Sequence, residues 1–329
     1  MISVIQYSAE KGIETLSIDD LKTWDYTCKE NVWVDIYQTD VEENTKILKD
    51  IFKFHPLAIE DSLKYIQEED SVHHPKIEDF TKYLFIVFNG LLTAEKSYKY
   101  KLFSLSCFLG PNFLVTVHNE SGENTICKNL RYILNVNSFS KGPDYILNLI
   151  LDEIVDKYYP ILDNLETEID SVEECIFNEP PNNRTLIKIL NIKKELIKLR
   201  RISSYQKEVL FKLTRADSEL ITRDESVFYR NVYDHLVRVT DAAESYGDYA
   251  AGMLDSYLSI VNNKMNEVMK FLTVIATIIL PLSFVTGIFG MNFDFIPFLH
   301  DKLGFYFSMS LMAIIAIGML LWFRHKKWL

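Results

Sequence analysis

The chain has 329 residues, enough for one to three domains, and carries 46 acidic against 35 basic side chains for a net charge of −11. That balance argues against nucleic-acid binding, which needs a concentrated basic face, and suits a protein that attracts cations. Four cysteines, Cys28, Cys107, Cys127 and Cys175, lack C-x-x-C spacing, so they read as free thiols of a reducing compartment, neither a disulfide framework nor a zinc site.

The N-terminal Met1-Ile-Ser-Val-Ile-Gln-Tyr has no basic start and no long apolar core, so no cleavable signal is expected. Residues 1–143 read as a cytosolic α/β domain with a mixed or antiparallel sheet. Val32–Tyr37, Tyr83–Phe88, Leu102–Leu109 and Phe113–His118 are short β-branched or aromatic runs, and a helix is expected from Val41 to about Tyr65. Gly110-Pro111-Asn112 marks a hairpin turn between the last two strands. The character changes at Gly142-Pro143. Residues 144–224 read as a helical hairpin broken at Pro180-Pro181, with Leu147, Ile150, Leu151, Ile154, Val155 and Tyr158 on one face. A third helix starts near Ser226 and meets no proline until Pro281; its 225–270 part reads as a stalk.

Two uncharged apolar runs follow, Phe271–Phe289 and Phe305–Phe323. At about 1.5 Å per residue each spans the roughly 30 Å hydrocarbon core. Residues 271–329 thus form a transmembrane domain, with an outer loop at 290–304 and a basic tail at 324–329. The tail Arg324-His325-Lys326-Lys327 and the acidic loop, with Asp294, Asp301 and only Lys302, put both termini in the cytoplasm by the positive-inside rule. Lys264 and Lys270 agree, and Trp322 and Trp328 suit the inner interface of a cell membrane. Membrane lipids are therefore expected partners.

Met269, Thr273, Ala276, Leu280, Ser283 and Gly287 step by three or four along the first run and share a face, with Asn266 just before them. Small residues at such spacing also let membrane helices pack closely. Two helices cannot enclose a water-filled path, so a pore needs several copies around an axis. Neither run holds an acid or base, so any conducted ion meets carbonyls, amides and hydroxyls. Gly290-Met291-Asn292, where the first run ends, offers a sharp chain reversal and an amide oxygen. A ring of neutral oxygens can hold Mg2+ through its first hydration shell.

The segment from Asn266 to Phe293, ending in Phe289-Gly290-Met291-Asn292-Phe293, resembles the CorA family of magnesium channels, as does the basic tail. The likeness is strong over residues 225–329. Earlier, His55-Pro-Leu-Ala-Ile-Glu-Asp and His74-Pro-Lys-Ile-Glu are similar to family segments. The resemblance implies an α+β cytosolic domain followed by long helices and two C-terminal transmembrane helices, assembled as a funnel-shaped homopentamer. It implies passive influx of Mg2+, with Co2+ or Ni2+ as further cargo. Gly290, Met291 and Asn292 match the selectivity motif. Asn266, Met269, Leu272, Ala276, Leu280, Ser283 and Gly287 match pore-lining positions; Leu272 lies beside the stripe that holds Thr273. Phe289 stands where the family has tyrosine, which removes a hydroxyl and keeps the aromatic bulk. The resemblance also implies that cytosolic Mg2+ binds between subunits and closes the pore. Glu60 and Asp61 match one side of that sensor. The opposing aspartate is Asn231 here, an amide without charge, unless Asp234 or Asp224 substitutes.

Related zinc transporters, some proton-coupled, usually carry a Gly-Val-Asn-like motif instead. An enzyme finds no support: there is no phosphate-binding glycine loop, nucleophile motif or metal-ligand spacing. No organic cofactor is expected. His73-His74 reads as surface, and Glu68-Glu69-Asp70, Glu166, Glu168 and Asp170 read as solvated faces.

Overall fold

The computed structural model describes residues 2–24, 28–37, 40–64, 74–93, 98–118, 126–215, 218–291 and 302–328. The chain divides into two compact units, Met1–Met253 and Leu254–Leu329.

The first unit holds a seven-stranded sheet of order β2-β1-β3-β7-β6-β5-β4. The strands are β1 (Ile2–Ser8), β2 (Gly12–Leu16), β3 (Asn31–Tyr37), β4 (Lys76–Asp79), β5 (Leu84–Thr93), β6 (Tyr100–Leu109) and β7 (Phe113–His118). β3 and β7 run parallel and the other neighbours antiparallel, so the sheet is mixed. The β6–β7 turn requires glycine, because a Cβ on Gly110 would stand 2.0 Å from the Phe113 ring.

Side chains alternate across the pleat, so each strand serves two faces. Val32, Val34, Ile36, Val115, Val117, Phe85 and Phe108 fill one face beneath α1 (Val41–Lys46) and α2 (Pro56–Lys64). Trp33, Asp35, Tyr37, Thr116, His118 and Cys107 alternate with them and point to the other face. α3 (Ile126–Ile133), α4 (Val136–Lys141) and α5 (Pro143–Asp156) cover that side. The apolar face of α5 lands there as its spacing predicts: Leu147, Ile150, Leu151, Ile154 and Val155 are fully buried. Burial of such side chains stabilises by about 1.5–3 kcal/mol each before chain entropy is counted.

Two expectations change. The helix expected over 41–65 is broken. α1 widens into a π turn over Ile47–Ile51, then the chain leaves helical geometry, with Lys53 at φ 52°. Phe52 and Phe54 drop into the core there, and Pro56, which disfavours helix in the residue before it, restarts the helix as α2. Between Pro143 and Thr214 the chain makes three helices rather than two: α5 parts at Lys157 from α6 (Tyr158–Asn178), and α7 (Asn183–Thr214) follows the prolines. Asn182 caps α7 by accepting from Thr185 N at 2.8 Å.

α8 runs unbroken from Arg223 to Phe289. Its start is fastened to α5 through Asp144, whose Oδ2 accepts from Thr222 N at 3.2 Å and whose carbonyl accepts from Tyr229 Oη at 2.7 Å. Val232, Leu236, Val239, Ala243 and Ala250 recur at helical spacing and are buried in the first unit. In the second unit the remainder of α8 is accompanied by α9 (Lys302–His325).

Candidate functional site

The second unit shows which way the stripe points. Val274 on α8 and Phe323 on α9 are 3% and 2% exposed. Ile278, Pro281, Leu282, Val285 and Phe289 are half-buried. At about 100° per residue these α8 positions share the Val274 face, the seam with α9. Met269, Thr273, Ala276, Leu280, Ser283 and Gly287 lie roughly opposite and are exposed, Leu280 at 73%. Leu272 and Asn266, at the edges of this stripe, are exposed as well. The expected pore-lining face is therefore the face that α9 leaves open. At its N-terminal end it borders a cleft of about 550 Å3 lined by Asn263, Asn266, Glu267, Met269, Lys270, Thr273 and Trp328.

The hydroxyls on this helix are turned inward as donors. Thr273 Oγ1 donates to Met269 O and Thr277 Oγ1 to Thr273 O, both at 2.7 Å. Their lone pairs remain as acceptors, the half a cation uses. At the end of α8, Gly290 N donates to Thr286 O at 2.9 Å and to Gly287 O at 3.2 Å. Gly290 does not adopt a left-handed conformation; α8 ends in a turn at Gly290 and a bend at Met291, and the rest of the expected reversal lies outside the described residues. Glycine serves by size: a Cβ would approach Thr286 O to 3.1 Å. Met291 is exposed, and Asn292 lies outside the described residues.

The expected sensor residues stand on separate helices of the first unit. Glu60 on α2 is exposed and edges a hollow of about 540 Å3 with Val41, Thr45, Lys49 and Lys64. Asp61 is half-buried, with Oδ2 at 2.5 Å from Lys76 Nζ, which also meets Glu78 at 2.8 Å. Burial would lower the Lys76 pKa, but the hydrogen bonds it donates to Asp61 and Glu78, with their charges, outweigh it and hold the pKa above its ordinary value. Glu60 thus carries the less compensated charge of the pair. Asn231 and Asp234 are exposed on α8. His74 stacks edge-on against Tyr205, and His73 lies outside the described residues.

Sequence reasoning missed a third group. Asp152 and Asp156 on α5 and His235 on α8 bring their donor atoms within 4.8 Å of one another. His235 Nδ1 is 3.7 Å from Asp156 Oδ1. His235 Nδ1 and Asp152 Oδ1 are both shielded from solvent and have no hydrogen-bond partner. Burial, then the Asp156 charge, raises the Asp152 pKa. Tyr159 lies edge-on to the imidazole and donates to the His235 carbonyl at 3.4 Å. Two carboxylates that repel, beside an imidazole nitrogen, form a donor set that a divalent cation relieves. Asn231 is one turn before His235. The available signal was the Asp152-x-x-x-Asp156 spacing on the polar side of α5.

The family described as CorA-like Mg2+ transporter protein matches residues 29–326. The chain belongs to that family. The cobalt/magnesium transport protein CorA of Thermotoga maritima is 34% identical over 334 residues, covering 100% of this chain and 92% of the relative. The solved structure of the CorA magnesium transporter from Methanocaldococcus jannaschii superposes with a TM-score of 0.81 at 24% identity, covering 100% of this chain and 99% of that one. It shares the fold: an α/β domain, a long helix and two C-terminal apolar helices. A zinc transport protein, ZntB of Yersinia enterocolitica, is 26% identical over 180 residues, 55% of this chain and 54% of its own length. As a CorA-family member the protein is a divalent-metal transporter of the membrane, not an enzyme.

Proposed function

We propose that the protein is a homopentameric channel for passive influx of hydrated Mg2+, with Co2+ and Ni2+ as lesser cargo, and that cytosolic Mg2+ closes it. One observation carries the reading: the Met269–Gly287 stripe lies opposite the α9 seam. Copies placed around an axis with α9 outside would turn every stripe inward. The apolar side chains of Met269, Leu272 and Leu280 would then form the constriction, and water would enter only when the helices part. Gly290, Met291 and Asn292 would ring the outer mouth. Gly-Met-Asn supports magnesium over the zinc relatives, because neutral oxygens suit a hard ion that keeps its water. The name of the Thermotoga relative, cobalt/magnesium transport protein, supports the same cargo.

We assign cytosolic regulation to Glu60, Asp61, Asn231 and Asp234, together with Asp152, Asp156 and His235. Glu60 and Asp61 of one copy would face the α5–α8 group of the next. A cation between them would convert repulsion into a clamp, and its loss would let the copies separate. The basic tail and acidic outer loop support a cell-membrane protein with both termini on the cytoplasmic side.

The test is ion flux into liposomes holding the full-length protein, wild type beside Asn292→Ala. Mg2+ flux abolished by the substitution supports the reading. Folded wild type that moves Zn2+ under a proton gradient, and not Mg2+, overturns it in favour of a zinc transporter.

A further inference from the structure

The second face of the sheet buries a group of side chains that transport does not use. Asp35 on β3, His118 at the end of β7 and Cys127 on α3 are 1%, 0% and 2% exposed. Their donor atoms all lie within 4.8 Å of one another. The register explains the meeting. Asp35 pairs with Thr116, two residues before His118, so all three face the same side, where α3 packs. The first two are held in place: Thr116 Oγ1 donates to Asp35 Oδ1 at 2.6 Å and accepts from Trp33 Nε1 at 3.1 Å. The Tyr37 ring stacks on the imidazole at 5.5 Å, nearly parallel at 5°.

His118 is the informative member. Nε2 is 3.2 Å from Asp35 Oδ1, yet the contact is not aimed as a hydrogen bond, and neither ring nitrogen has a hydrogen-bond partner. A fully buried imidazole left so is costly unless something else takes its lone pair. Two donors on one tetrahedral zinc ion, each about 2.0–2.2 Å from it, stand roughly 3.3 Å apart, close to the spacing of Nε2 and Oδ1. Charge points the same way. A carboxylate and a thiolate neutralise a dication, so the filled group enters the core without net charge, as a buried site requires.

We propose that Asp35, His118 and Cys127 form a structural site for one divalent transition ion of the zinc class. The donors would be a carboxylate oxygen, an imidazole nitrogen and a thiolate. Sulfur and nitrogen favour zinc or cobalt and reject magnesium, which seeks oxygen and keeps its waters. The site differs in both ligand set and location from the Asp152–Asp156–His235 group, and it stands whether or not the pore reading holds.

The experiment uses the full-length protein in detergent, stripped with chelator, reduced, and titrated with Co2+. One equivalent should give a thiolate-to-cobalt charge-transfer band with tetrahedral ligand-field absorption, displaced by Zn2+ and not by excess Mg2+. His118→Gln should weaken cobalt binding at least ~100-fold, above the 10–100-fold typical of losing an outer-shell partner. Cys127→Ser should abolish the band, and Asp152→Asn should keep it. If Cys127→Ser does not fold, a chain with Cys28, Cys107 and Cys175 changed to alanine decides, since Cys127 alone must then give the band. Folded wild type without the band, a band that survives Cys127→Ser, or its loss from the folded triple variant overturns the proposal.

Discussion

Replacing Asn231 with aspartate tests the proposed regulation most directly. Asn231 and His235 are four residues apart on α8, so their side chains begin about 6 Å apart. A cation held by Asp152, Asp156 and His235 would therefore feel a new carboxylate at about that distance. Coulomb attraction between a dication and a unit charge at 6 Å is about 1.4 kcal/mol in water, and about 5.5 kcal/mol at an effective dielectric of 20. Asn231 is exposed, so the screened value applies. It corresponds to about tenfold tighter binding.

The assay is flux from liposomes loaded with a graded series of internal Mg2+. Asn231→Asp should lower the half-inhibiting Mg2+ about tenfold, and added salt should shrink the gain, because exposed charges are screened within about 10 Å at 0.1 M. The permeant ion should not change, since Asn231 belongs to the first unit and the stripe to the second. A shift of less than twofold at low salt, with the variant folded, would refute the placement of the cation beside His235.

Asp152→Asn should weaken cytosolic Mg2+ binding and flatten its pH dependence. Burial and Asp156 raise the Asp152 pKa, so in wild type protons should displace the cation at a higher pH than an ordinary aspartate would allow, measurable by Mg2+ titration at several pH values. Tyr158→Phe should cost about 1–3 kcal/mol of stability with ion selectivity unchanged. It removes the hydroxyl that meets Gln206 Oε1 at 2.5 Å in a fully buried network with the Asn89 carbonyl, and denaturant unfolding reads the loss. Leu280→Asn should raise basal Mg2+ flux about tenfold or more, by wetting the proposed constriction, with the melting temperature little changed because Leu280 is 73% exposed.

Where one face or one period decides an element, the sequence reveals it. β3, β5, β6 and β7 are buried on both faces and appear as apolar runs, whereas β1, β2 and β4 lie toward the sheet edges. β2 (Gly-Ile-Glu-Thr-Leu) and β4 (Lys-Ile-Glu-Asp) carry no such run, because their pairing comes from backbone hydrogen bonds that leave little trace in side chains. The break after α1 was hidden because Ile47, Leu48, Ile51 and Phe52 keep a helical spacing into the π turn, and only Phe54, two residues on, departs from it. The stripe was legible because a single helix carries it. Asp152, Asp156 and His235 were not: α5 and α8 are far apart in sequence, and only tertiary packing brings them together. The same holds for Asp35, His118 and Cys127, whose elements contribute one ligand each, so no spacing rule flags them.

The distribution of ionisable groups bears on mechanism. A fixed carboxylate in a low-dielectric pore would bind Mg2+ so strongly that release would limit conduction, since attraction grows as the dielectric falls. Both apolar runs lack such groups, and the proposed path offers only backbone oxygens, hydroxyls and an amide. A regulator has the opposite need: it must hold its ion long enough to favour the closed assembly. Carboxylates therefore belong in the water-facing body, where Glu60, Asp152 and Asp156 lie. On the proposed regulation, an uncharged residue at Asn231 would weaken that side alone. The reading thus expects a channel of ordinary Mg2+ selectivity with a raised closing concentration, and a changed selectivity in wild type would separate the two functions differently from the charges.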